Sequence, residues 1–282
     1  MLLGTVILGF CISIWGITTN ALSLYFYIHK SDKSMAIKLL ILLNAWDLAV
    51  CTSVAGMQYA SYSVNCDTKD CTRNREGMYF VAYAYSVICF EGSAFSSVLL
   101  SVSRAIQVSQ PFYRVKGKAI AVSFLLFLSI IALRETVDTV FMFTLPHPLR
   151  VIYFVILGME HVLIYLAVGV SNAISVVTLL KGDGVAGSGR VPETSKKATI
   201  TVFMLSVSFL VANIVCDVSV FITYLVVENY FTPAAATLHF AIWIVIPLNS
   251  SLNPVVYFVR NRELREYSRG VVWRVMCRSD GQ

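Results

Sequence analysis

Asp47 stands in "LLNAWDLAV", about ten residues into an apolar run and so near the middle of any membrane that run crosses. An unpaired aspartate at that depth costs roughly 2.5–3.5 kcal/mol on insertion scales, so it requires partners or a proton. A later apolar run holds the stretch "IPLNSSLNPVVYF" (246–258), whose side chains can supply partners. Asn249 and Asn253 lie one helical turn apart on one face, with Ser250 adjacent. Carboxylate, hydroxyl and amide oxygens together suit a small hard cation such as Na⁺. They suit equally a hydrogen-bonded polar knot that only fixes helix packing, and residue type and spacing leave both readings open. Pro254 lacks an N–H and frees a backbone carbonyl about one turn earlier as a further acceptor or water site. Asn20 in "GITTNALSLYF" and Ser93 in "EGSAFSS" are further polar residues inside apolar runs.

These residues must be positioned by membrane helices. The 282-residue chain is 57% hydrophobic and only 13% charged, with mean hydropathy +0.73. Soluble domains carry about 25% charged residues, so roughly half the usual charge is missing. Apolar runs fall at about 3–28, 37–62, 78–108, 119–143, 150–180, 198–227 and 234–258, each long enough to cross as a helix. The expected fold is an all-α membrane protein: a seven-transmembrane helix bundle in one domain over 1–282, followed by a short amphipathic helix at about 260–276. The fourth run is the weakest, because Arg134, Glu135 and Asp138 interrupt it. The first run lacks a basic leader and, at about 27 residues, exceeds a signal-peptide apolar segment, so it is expected to span.

With seven spans, alternate connections share a side. Seventeen of the 22 lysines and arginines then fall on one side; only Lys69, Arg73, Arg75, Arg134 and Arg150 fall on the other. The positive-inside rule puts the N-terminus outside and the tail in the cytoplasm. The net charge of +6 therefore belongs to a cytoplasmic membrane face and not to a nucleic-acid site. Trp273 and Val271–Val272 interleave with Arg265, Arg269 and Arg274, a pattern that fits membrane lipid with anionic headgroups. Cys277, close behind, is a palmitoylation candidate or a plain cytosolic thiol.

The outer halves of the spans hold Glu91, Arg134, Glu135, Asp138, Glu160, His161 and Asp217. Ionisable residues inside spans are binding-site hypotheses by default. Glu91, Glu160 and Asp217 would together make an acidic cavity for a basic ligand; interhelical ion pairs with Arg134 are the other reading. No cysteine pair has zinc-site spacing, and His161 beside Glu160 is too thin a signal for an enzyme that uses embedded carboxylates.

Taken in order, several of these residues resemble the rhodopsin-like (class A) G-protein-coupled receptors. The resemblance runs along almost the whole chain: Gly16 and Asn20 in span one, and "LNAWDLAV" with Asp47 in span two. In span three, "SVSRAIQVSQPFY" looks like the family's Asp-Arg-Tyr segment, with Pro111 seven residues after Arg104. "NSSLNPVVYF" matches the Asn-Pro-x-x-Tyr motif at Asn253, Pro254 and Tyr257, and "VRNRELREY" looks like the family's amphipathic helix after span seven. The resemblance implies a plasma-membrane receptor, not an enzyme, that passes binding of an extracellular ligand to a heterotrimeric G protein through outward movement of span six. It places Asp47, Ser93, Asn249, Ser250 and Asn253 in an allosteric Na⁺ pocket, with no required cofactor. It places Arg104, Pro254 and Tyr257 in the G-protein switch. The ligand pocket would draw on Ser86, Phe90, Glu91, Glu160, Asn213, Asp217 and Trp243.

The chain also departs from the family. Ser103 replaces the usual acid before Arg104 and Ala105 the tyrosine after it, which removes the carboxylate that restrains the arginine at rest; Glu193 is the candidate substitute. Asn213 and Val215 replace the tryptophan and proline of the span-six hinge. The second outer loop, around 144–150, has no cysteine for the family's disulfide, which leaves Cys66 and Cys71 either to bridge within "CDTKDC" or to remain free. Span seven has no lysine for retinal, and Ser86 stands where amine receptors carry aspartate. By analogy these features point to a divergent invertebrate peptide or chemosensory receptor. The rival class is a small-solute transporter or channel with a polar intramembrane pathway, which calls for inverted repeats or paired broken helices.

Overall fold

The computed structural model describes residues 2–31, 34–63, 69–110, 147–185, 193–226 and 233–279, together with helical positions between 122 and 134. The helices are α1 (Leu2–His29), α2 (Met35–Ser63), α3 (Lys69–Ser109), α4 (the described positions between 122 and 134), α5 (His147–Val185), α6 (Glu193–Val226), α7 (Pro233–Arg260) and α8 (Arg262–Ser279). Almost every described residue is helical. Among the described residues, five stretches are long and apolar enough to cross a membrane: Gly4–His29, Met35–Tyr59, Tyr85–Ser109, Gly158–Leu180 and Lys196–Ser219. This is the make-up of an all-α, multi-pass membrane protein.

Burial supports the same conclusion. Leu163 is 67% exposed and Met159 65%, whereas Asp47, Asn20 and Ser250 are fully buried. Water would drive the opposite sorting; a lipid surround permits apolar side chains outside and polar ones within. Hydroxyls are accommodated by donating to carbonyls one turn back, as Ser13 does to Gly9, Ser96 to Gly92 and Ser206 to Val202, at 2.8–2.9 Å.

Around the bundle α1 packs on α2 and α7, α2 on α3, α5 on α6, and α6 on α7. Helix α3 is central, in contact with α2, α5 and α6. Phe127 of α4 stacks on Phe95 of α3 with ring centroids 3.7 Å apart. Two apolar layers frame the polar centre. One joins Leu39, Leu43, Leu100, Val202, Leu205, Tyr257 and the α8 residue Leu264. The other joins Val50, Val54, Met57, Cys89, Cys216, Trp243 and Ile246. Asp47 falls between them along α2, as do Ser93 along α3 and Ser250 along α7.

The amphipathic helix begins at Arg262, two residues later than expected, because Asn261 breaks the run and caps α8. Its Oδ1 accepts the Leu264 N–H at 3.3 Å, an N-cap arrangement. Arg265 Nη1 donates to the carbonyls of Phe258 and Val259, at 3.1 and 2.5 Å, and so closes the end of α7. Lys30 at the end of α1 pairs with Glu263 at 2.5 Å. The helix is thereby fixed to α1 and α7.

Gly16 sits where α1, α2 and α7 converge. A Cβ there would collide with Ser251 Oγ and Cys51 Sγ. Gly16→Ala is therefore expected to cost about 1–3 kcal/mol, the usual penalty for overpacking. The check is thermal unfolding of purified protein in detergent; an unchanged melting temperature would show that the contact relaxes freely.

Candidate functional site

The polar centre assembles around Asp47. Ser93 Oγ on α3 donates to Asp47 Oδ1 at 2.6 Å, and Asn253 Nδ2 on α7 donates to Oδ2 at 2.7 Å. Three helices thus meet on one carboxylate that is itself fully buried. Pro254 leaves the Ser250 carbonyl without its helical donor, and Asn20 Nδ2 of α1 takes it at 3.1 Å while also donating to Gly16 O at 2.9 Å. The acceptor expected from the proline is therefore used by α1. The Pro247 carbonyl serves one layer away, where it accepts Ser251 Oγ at 2.6 Å and Cys51 Sγ lies at 3.9 Å.

Two of the expected Asp47 partners stand differently. The Ser250 hydroxyl lies beside the carboxyl, whereas the Asn249 carboxamide oxygen is buried without a partner. The Asn249 oxygen is thus a buried acceptor with nothing to accept from. Buried polar atoms of this kind call for an explanation such as an ion or a water. The residue types fit Na⁺: one carboxylate, two hydroxyls and amide oxygens, all hard oxygen donors.

Arg104 lies eleven residues beyond Ser93 on α3, about 16 Å further along. It is half-buried, and its Nε donates to Thr199 Oγ1 on α6 at 2.8 Å. One turn away Ser101 and Ser206 share a hydroxyl–hydroxyl hydrogen bond of 3.0 Å between the same two helices. A polar seam therefore joins α3 to α6. Sequence reasoning named Glu193 as the arginine's restraint; that side chain lies outside the described residues. It did not name Thr199. The available signal was the seven-residue spacing of Thr199 and Ser206, which puts two hydroxyls on one face of α6. Tyr257, the third member of the expected switch, is 1% exposed; its hydroxyl has no hydrogen-bond partner and its ring meets that of Tyr27 edge-on at 5.9 Å.

The end of the bundle away from α8 holds the ionisable residues. Glu91 on α3 faces both Arg134 of α4, at 3.5 Å, and His161 of α5, at 3.2 Å. Arg134 also reaches Glu160 at 3.3 Å, and His161 reaches Asp217 of α6 at 2.9 Å. Tyr165, one turn after His161, donates its hydroxyl to Asp217 as well. The carboxylates read as an acidic cavity thus carry Arg134 and His161 between them, so the ion-pair reading describes the arrangement. Tyr165 went unnoticed in the sequence, although its four-residue spacing from His161 places it on the same face.

The remaining pocket candidates lie in the apolar layer beside this cluster. Trp243 is buried with Cys89 and Cys216, and Phe90 packs against them. Ser86 lies 3.8 Å from the Met57 sulfur, and Asn213 Nδ2 turns back to Phe209 O at 2.7 Å. A groove of about 350 Å³ opens elsewhere, between α5 and α6, lined by Gly169, Asn172, Phe203, Ser206 and Leu210 among others, and none of the expected pocket residues lines it. Cys66 and the side chains of Cys71 and Cys277 lie outside the described residues, as do the side chains of Glu135 and Asp138. No protein-family model matches the chain, and no curated protein matches it in sequence.

Proposed function

We propose that the chain is a seven-span G-protein-coupled receptor of the class A kind, with its N-terminus outside the plasma membrane and its tail in the cytoplasm. The observation that carries the reading is the linkage along α3: Ser93 holds Asp47 to α3 while Arg104, on the same helix, is tied to Thr199 of α6. A helix that joins a buried ion-type centre at one level and a neighbouring helix at another is a two-state element that both levels can bias. In this reading α6 moves away from α3 when ligand binds, Arg104 is released from Thr199, and the guanidinium becomes available to a heterotrimeric G protein. Na⁺ at Asp47 favours the closed arrangement. The ligand is a peptide or chemosensory small molecule that engages the end of the bundle holding Glu91, Glu160 and Asp217.

Arg104→Ala tests the reading. In cells carrying a G-protein activation reporter, screened against a peptide and odorant panel, a ligand that activates the parent chain is expected to lose at least tenfold in signal with the variant, at equal surface expression. Activation that survives the substitution undiminished sinks the assignment of the switch.

A further inference from the structure

We propose that His161 is a proton-binding site whose occupancy ties α6 to α3 and α5, making this end of the bundle responsive to pH. The ring lies between carboxylates of two different helices. Nδ1 is 2.9 Å from Asp217 Oδ1 on α6, and Nε2 is 3.2 Å from Glu91 Oε1 on α3. An ionised carboxylate only accepts hydrogen bonds, and a neutral imidazole carries a single N–H. With a neutral ring, one of the two contacts would set a nitrogen lone pair against carboxylate oxygen. Against two ionised carboxylates, both are hydrogen bonds only when the ring is doubly protonated.

Each carboxylate also has a donor besides the ring. Asp217 also accepts the Tyr165 hydroxyl, and Glu91 also faces the Arg134 guanidinium. The groups facing the ring are thus Glu91 from α3 and Asp217 from α6, with Tyr165 on its own helix; Arg134 of α4, which also pairs with Glu160 of α5, stands one contact further out. Arg134 serves Glu91 and Glu160, so among the described residues His161 is the cation that faces Asp217. Loss of the ring proton therefore leaves one of the two carboxylate contacts without its hydrogen bond. The His161 side chain is 20% exposed and that of Asp217 30%.

Charge sets the direction of the response. At lower pH the imidazolium joins both carboxylates and the α3–α5–α6 junction is closed. As pH rises through the loss of that proton, Glu91 and Asp217 are left facing a neutral ring and the junction loosens. This behaviour is set by the geometry of the cluster and is independent of coupling to any G protein.

The test uses the full chain in detergent. His29→Gln, His147→Gln and His239→Gln together leave His161 as the sole histidine without touching the cluster. With ¹⁵N-labelled histidine, both ring nitrogens are expected to be protonated at neutral pH. Raising the pH should remove that signal, and over the same interval the melting temperature should fall by roughly 5–10 °C, the scale of breaking a buried ion pair in a protein of this size. His161→Gln should show neither the signal nor that fall. A neutral ring at neutral pH, or a melting temperature that stays level while the ring titrates, overturns the proposal.

Discussion

Asp47→Ala is expected to destabilise the folded chain by about 2–6 kcal/mol, because it strands two buried donors at about 1–3 kcal/mol each. Ser93 Oγ and Asn253 Nδ2 both end on the Asp47 carboxylate, at 2.6 and 2.7 Å. Both side chains are buried, and they come from α3 and α7, so the junction of three helices depends on one acceptor. Asp47→Asn should behave differently. Its amide oxygen can still accept from Asn253, and the Ser93 hydroxyl can turn to accept from the new NH₂ group, so folding survives with a loss of no more than about 1.5 kcal/mol. What the asparagine removes is the charge. If the centre binds Na⁺, thermal stability of the parent chain rises with NaCl relative to choline chloride at equal ionic strength, and the Asp47→Asn protein shows no such rise. A sodium effect that persists in Asp47→Asn would place the ion elsewhere; an alanine variant as stable as its parent would mean that the two donors find other partners.

The Asp47 site was legible in the sequence because polarity inside an apolar run is rare and each instance needs a partner. Asp47, Ser93 and Asn253 were named from that rule, and the structure brings all three together. The rule identifies which residues need partners without saying which atoms meet. Ser250 was expected to contribute its hydroxyl, which does lie beside the carboxyl, and its backbone carbonyl, freed by Pro254, also enters the network through Asn20. Asn249 was expected on Asp47, and its oxygen remains unpartnered. A side-chain list has no means of anticipating a main-chain acceptor beyond the proline rule itself.

Helix α4 illustrates a second limit. Its charges looked like a defect in a span, yet Arg134 bonds to both Glu91 and Glu160 from neighbouring helices. An ionisable residue reads as an interruption along one helix and as a junction across several, and single-chain periodicity reports only the former. The same holds for Thr199. Threonine is unremarkable in a membrane helix, where it satisfies itself by back-bonding; its spacing from Ser206 marks a shared face of α6 but not the arginine on another helix that it accepts from.

Thr199→Val is the substitution with the largest expected effect on ligand-independent signalling. Valine keeps the shape of threonine and removes the oxygen that accepts from Arg104 Nε at 2.8 Å. A hydrogen bond to a charged group contributes about 1.5–3 kcal/mol, and most of that is present only while α3 and α6 are together. In the receptor reading, losing it shifts the resting equilibrium toward the separated state by about tenfold or more. Arg104 has further contacts and the Ser101–Ser206 hydroxyl pair remains, which places the expectation at the lower end, near tenfold. The readout is ligand-independent G-protein activation at matched surface expression. Thr199→Ser, which keeps the acceptor, should stay near the parent level, and Thr199→Val combined with Arg104→Ala should be silent, because the group that is released is also the group that engages the G protein. In the same reading the seam stands in for the carboxylate that class A receptors carry at the position of Ser103, with a neutral acceptor one helix away, so its strength depends on hydrogen bonding more than on charge attraction. Basal activity in Thr199→Val equal to the parent's, with Arg104→Ala still inactive, would separate the two roles and leave the arginine as an effector without this restraint.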